Sequence, residues 1–120
     1  MKALYRKRLL NVARALRESR NPDEFTMEKT HHECGTPACA IGHYAARRDL
    51  QREFTLKSAL GSTDGDGEWA YAAQRHFGLE GLATVELLFG SKGCGGAETP
   101  KAAARYIERF VARKKKEAKR

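Results

Sequence analysis

Apolar residues recur every three or four positions at both ends of this chain, and that spacing commits the ends to helices. Tyr5, Leu9, Val12 and Leu16 follow one another in this way, with Ala13 beside them. Ala103, Tyr106, Ile107, Phe110 and Val111 do the same near the other end. Residues three and four apart share one face of a helix, so each run forms a continuous apolar stripe. The first run predicts a helix over about 2–20, stopped at Asn21-Pro22 because the residue before a proline is driven out of helical geometry. The second predicts a helix over about 100–116, opened by Thr99 as cap and Pro100 in its first turn, where a missing N–H costs nothing.

Weaker signals fill the middle. Phe25 and Met27 alternate, as do Phe54 and Leu56, and each pair reads as a short extended piece with its side chains on the core. Thr36-Pro37 repeats the cap-and-proline start and predicts a helix from there to about Arg48, with Arg47 and Arg48 at its negative end. Asp66 is a cap for a helix over about 67–77 carrying Trp69, Ala73 and Phe77, with Gly78 ending it. A short helix over about 80–89 uses Leu82, Val85, Leu88 and Phe89. "GSKGCGG" lacks the spacing of a phosphate-binding loop and reads as a flexible loop. A chain of 120 residues has room for one core. The expected fold is all-α or nearly so: a compact single domain of about five helices with short extended segments over 1–116, and a basic tail over 117–120.

Charge is the strongest functional signal. The net charge is +8, and it is concentrated at the ends. Residues 1–20 hold seven Lys or Arg against Glu18, and residues 101–120 hold nine against Glu108 and Glu117. The stretch between them is net acidic. On the last helix Lys101, Arg105, Arg109, Arg113 and Lys116 fall opposite the apolar face as one basic stripe. Arg6, Lys7, Arg14 and Arg17 extend it if the terminal helices pack together. No aromatic residue is interleaved among these cations, so the pattern points to phosphate attraction and not to base stacking. "AAQRHFGLEGLATVELL" has the outline of a helix-turn-helix, but its second helix carries Glu80 and Glu86 and no basic residue. Such a helix would repel phosphate and has little to place on base edges.

The densest chemistry lies in "HHECGTPACAIGH", residues 31–43, with three histidines and two cysteines. Cys39 and His43 are four apart and share a helix face, and Cys34 with His31 or His32 completes a possible zinc set. Four residues separate the two cysteines, however, where paired zinc cysteines are ordinarily closer. Cys34, just before a helix N-terminus, sits where thiol pKa falls, but no orienting acid or amide can be assigned. A Cys34–Cys39 disulfide is disfavoured in a reducing compartment. The reading adopted is the start of a tightly packed helix in which Cys39 acts as a small hydrophobe, with no metal and no catalytic residue. A calcium loop through Asp64, Asp66 and Gly67 fails, because its twelfth position is Ala73 where a glutamate is needed. No apolar run approaches membrane-spanning length, and Arg6, Lys7 and Arg8 interrupt the start of the chain, so a cytoplasmic protein without a membrane partner is expected.

"CGTPACAIGH", with "FGLEGLATVELLF" and "TPKAAARYIERFV" behind it, resembles small uncharacterised phage and bacterial helical proteins that carry a Cys-Gly-Thr-x-Ala-Cys-x-x-Gly motif. Cys34, Gly35, Thr36, Ala38, Cys39 and Gly42 fit that motif. The resemblance implies a phage or mobile-element setting, hence a host cytoplasm, and a helical fold, but no activity. The expected function is therefore that of a non-enzymatic binding protein engaging nucleic acid or a nucleoprotein complex through its basic terminal helices. The alternatives are an inhibitor that binds a host-defence protein, in the manner of anti-CRISPR proteins, and a small zinc or thiol enzyme centred on Cys34.

Overall fold

Helix α1 (Ala3–Arg17) turns its apolar spacing into a buried seam: Leu9 and Val12 lose all solvent contact, and Ala13 and Leu16 nearly all. The helix ends sooner than the prolyl stop implies. Glu18 is the C-cap, its N–H bonded to Arg14 O, and the Ser19 N–H bonds Leu16 O at 3.2 Å. The chain has thus left the helix before Asn21, and Pro22 opens a single 3₁₀ turn, Pro22–Glu24. Phe25 and Met27 are buried on either side of a less buried Thr26, as their alternation requires. The computed structural model describes residues 1–27, 39–54 and 68–118.

Helix α2 (Ala40–Ala46) is buried from Ala40 through Ala45. Its small residues let neighbouring elements approach on several sides, and Tyr44 is its one large ring. The expected helix from Pro37 to Arg48 is corrected at both ends. Cys39 is the N-cap and has extended backbone (φ −97°, ψ 179°), so no helix runs through it from Pro37. Thr36 and Pro37 themselves lie outside the described residues. At the other end Arg47 leaves helical geometry and is the C-cap. Its guanidinium holds Asp49 through two hydrogen bonds of 2.8 and 2.7 Å. Phe54 is buried as expected, while Leu56 and Asp66 lie outside the described residues.

Helix α3 (Glu68–Phe77) buries Ala70, Ala73 and Phe77. It ends at Gly78, which takes φ +61°, and the Leu79 N–H reaches back to Gln74 O. Only glycine fits there, since a Cβ would be driven into the Tyr5 ring of α1. Helix α4 (Leu82–Phe89) begins after Gly81 and buries Val85, Leu88 and Phe89. Leu82, expected on the core, is 38% exposed in the first turn. Leu79, which precedes the helix, is buried instead.

The glycine-rich segment is not the loose loop its composition predicts. It forms a short helical turn, Gly93–Gly96, with Gly93 and Cys94 buried. The Cys94 thiol donates to Leu88 O at 3.2 Å. Cys94 and Gly95 both have left-handed backbone, and the apolar thiol pins the turn to the core.

Helix α5 (Pro100–Ala118) starts as its cap signal predicts, with the Ala102 N–H on Thr99 Oγ1 at 3.1 Å. Ala103, Ala104, Ile107, Phe110 and Val111 form its buried face, and Tyr106 packs at the edge of the core. The helix continues through Ala118, past the start of the expected tail. It packs chiefly on α1. Met1 lies beside Phe110, Lys114 and Glu117 while Arg17 reaches Glu108, so the two helices run in opposite directions. The described residues are all-α. No described helix is long and apolar enough to cross a membrane.

Candidate nucleic-acid interface

Packing one face of α5 on α1 and the core leaves the opposite pole to solvent. Lys101, Arg105, Arg109, Arg113 and Lys116 are all exposed on it. Four residues turn a helix about 40° past a full revolution, so the first four cations form a band that winds around the helix, and Lys116 returns to its middle. The band is about 22 Å long at 1.5 Å per residue. Among the described residues none of the five meets a carboxylate within ion-pair distance. Lys114 differs: it pairs with Glu117 at 3.5 Å and lies over the Phe110 ring.

The α1 cations are placed otherwise. Arg17 grips Glu108 of α5 with two hydrogen bonds, 2.9 and 2.6 Å long. That contact holds the Glu108 carboxyl below its ordinary pKa. Arg14 pairs with Glu18, and Arg6 donates to Met1 O at 2.6 Å. Lys7 is exposed and has no ion pair among the described residues. The terminal helices do pack together, but Arg14 and Arg17 then serve as structural cations. Among the described residues the larger share of unpaired positive charge lies on α5, with Lys7 left unpaired on α1.

The Cys/His segment is described only from Cys39. His31, His32 and Cys34 lie outside the described residues, so the proposed zinc set and the Cys34 nucleophile do too. Cys39 is buried, and burial pushes its thiol pKa up. His43 uses both ring nitrogens on protein partners, Nδ1 on Cys39 O at 2.8 Å and Nε2 on Ser19 Oγ at 2.9 Å. A metal would have to displace one of them. Among the described residues no three His, Cys, Asp or Glu side chains converge. Cys94 is also buried; burial first, and Cys39 nearby second, raise its thiol to about 12.

Sequence reasoning passed over a second polar cluster. Tyr44 OH lies 2.6 Å from His76 Nε2. Arg8 donates from Nη1 to His76 O at 2.7 Å and from Nη2 to Glu53 at 3.1 Å. Phe54 and Phe77 pack on both rings. Burial, aided by Arg8, holds His76 down at about 4 and burial lifts Tyr44 to about 12, so the histidine is neutral and accepts from the phenol. Tyr44 and the Phe54 and Phe77 rings tie the network to the core while Glu53 closes it at the surface, which suits a structural role. Only the amphipathic position of Tyr44 within an otherwise small-residue helix marked it in the sequence.

A four-residue turn joins α3 to α4, as the helix-turn-helix outline of the sequence suggests, but Glu80 and Glu86 are exposed there, and α4 bears no cation. No protein-family model, no curated protein and no solved structure matches this chain.

Proposed function

We propose that this protein binds the phosphate backbone of a nucleic acid, alone or within a nucleoprotein complex, through the outer face of α5. The observation that carries the reading is the exposed band of Lys101, Arg105, Arg109, Arg113 and Lys116, five cations without a carboxylate partner among the described residues. A duplex carries one charge per ~1.7 Å of its axis, so ~22 Å of contact offers about 13 phosphates, more than enough for five cations. The band is made of Lys and Arg alone, with no Asn, Gln or aromatic residue, so the contact proposed is with phosphate and involves no base stacking. No bond is made or broken in this step. The two described cysteines are free and buried, which suits the cytoplasm, and the Cys-Gly-Thr-x-Ala-Cys-x-x-Gly resemblance supports a phage or mobile-element setting.

The test is fluorescence anisotropy with random-sequence duplex DNA and RNA at about 50 mM salt. Micromolar binding is expected from the wild type. Arg105→Glu with Arg109→Glu should weaken it at least tenfold, while Arg17→Ala leaves it nearly unchanged. No binding at low salt overturns the reading, and the charge of α5 would then have to serve an acidic protein, such as a host-defence component.

A further inference from the structure

The end of α1 and the far end of α2 enclose a cleft of about 530 Å³, lined by Ser19, Arg20, Asn21, His43 and Arg47 among others, and by no residue of α5. Two of these side chains are hydrogen-bonded in a defined sense. Cys39 O can only accept, so the His43 proton lies on Nδ1, at 2.8 Å from that carbonyl. The same carbonyl also receives the His43 backbone N–H at 3.0 Å, the first helical bond of α2, so it anchors both the backbone and the ring of His43. Burial disfavours a second proton on the ring, leaving Nε2 as an acceptor. The Ser19 hydroxyl, 2.9 Å away, must therefore donate to it. The Asn21 N–H donates to the same Oγ at 3.4 Å, which leaves the hydroxyl proton for Nε2.

We propose that Ser19 is an acyl-accepting nucleophile with His43 as its general base, and that this cleft hydrolyses small, uncharged carboxylic esters. A serine hydroxyl donating to a neutral imidazole whose other nitrogen is held by an acceptor is the arrangement nucleophilic acyl transfer requires. Here a backbone carbonyl does the orienting that a carboxylate does elsewhere. Arg20 and Asn21 line the same cleft and are the residues from which donors for a developing oxyanion would have to come. The walls are charge-balanced: Arg47 is bound to Glu18 at 2.7 Å and to Asp49, and Ala15 and Ala46 add apolar surface, which favours a neutral substrate.

The chemistry closes. Ser19 Oγ bonds to the ester carbonyl carbon as its proton passes to His43 Nε2. The C–O bond to the alcohol then breaks, and the departing oxygen takes the proton from Nε2, leaving acyl-Ser19. Water gives a proton to Nε2 and bonds to the acyl carbon. Ser19 Oγ leaves with that proton, so one ester and one water become one acid and one alcohol.

The test treats the full chain with p-nitrophenyl acetate and, separately, with a fluorophosphonate, and locates adducts by peptide mass spectrometry. The expected result is an adduct on Ser19 in the folded protein, lost in Ser19→Ala together with at least tenfold of the p-nitrophenolate release. His43→Gln should slow adduct formation on the order of 100-fold. Because His43 is buried and its replacement can cost folding, Ser19→Ala, at a half-buried position, and Ser19→Cys, which should be alkylated faster than Cys39 or Cys94, carry the decision. An unmodified Ser19 in the wild type, or equal release from Ser19→Ala, overturns the proposal and leaves the bond as a tie between α1 and α2.

Discussion

Salt should read the free charge of α5 as a number. Each cation that meets a phosphate releases condensed counterions, and the logarithm of the affinity falls by about 0.9 per contact for each decade of salt on duplex DNA. The exposed band supplies five cations, Lys101, Arg105, Arg109, Arg113 and Lys116. The slope should therefore be about −4.5, a loss of ~500-fold between 50 and 200 mM salt. Arg105→Glu with Arg109→Glu removes two contacts, so the slope should fall to about −2.7 and the same salt change should cost only ~40-fold. Arg17 is held by Glu108, and Arg17→Ala should leave the slope where it was. The assay is an anisotropy titration of a labelled random-sequence duplex at four or more salt concentrations. A wild-type slope shallower than about −2, or one that the double reversal does not change, refutes the assignment of α5 as the contact surface.

Three further expectations concern the scaffold. Gly78→Ala places a Cβ at φ +61° and against the Tyr5 ring, and should destabilise the protein by ~1–3 kcal/mol in urea unfolding; an unchanged midpoint would show that α1 does not pack there. His76 is held at about 4, below its ordinary 6.5, so the unfolded chain binds the extra proton between those values and stability is lost as pH falls through that window. Allowing for its partial solvent contact, the loss should be about 1–2 kcal/mol; urea midpoints at pH 7 and 4.5 measure it, and His76→Gln, which keeps an acceptor for Tyr44, should reduce it. Thr99→Ala removes the cap of α5 and should cost ~1 kcal/mol with little change in DNA affinity, since four of the five band cations lie beyond the first turn; a tenfold loss of affinity would show that the first turn, with Lys101, dominates binding.

What could be read along the chain was whatever a helix decides within a turn of itself. The stripes of α1 and α5, the Thr99 cap, the Gly78 stop and the solvent-facing cations of α5 all depend on neighbours three or four residues away. Local signals failed where the core had a competing claim. Cys39 is extended although the cap-and-proline pair before it predicts helix, and the glycine-rich segment is a packed turn because burial of Cys94 outweighs its composition. Leu82 fits its helical stripe yet is exposed in the first turn of α4, while Leu79 before the helix is buried. The pairings lay furthest from view. Arg17 with Glu108, Arg8 with His76 and Ser19 with His43 join residues 91, 68 and 24 positions apart. Their meeting depends on how the apolar faces interlock, and that register sets which cations are tied down and which remain free. The sequence by itself therefore determined the helices and the basic character of the ends. Only the tertiary structure decided that, among the described residues, Arg14 and Arg17 of α1 are tied to carboxylates and the five cations of the α5 band are not, and that a histidine read as a possible metal ligand faces a serine.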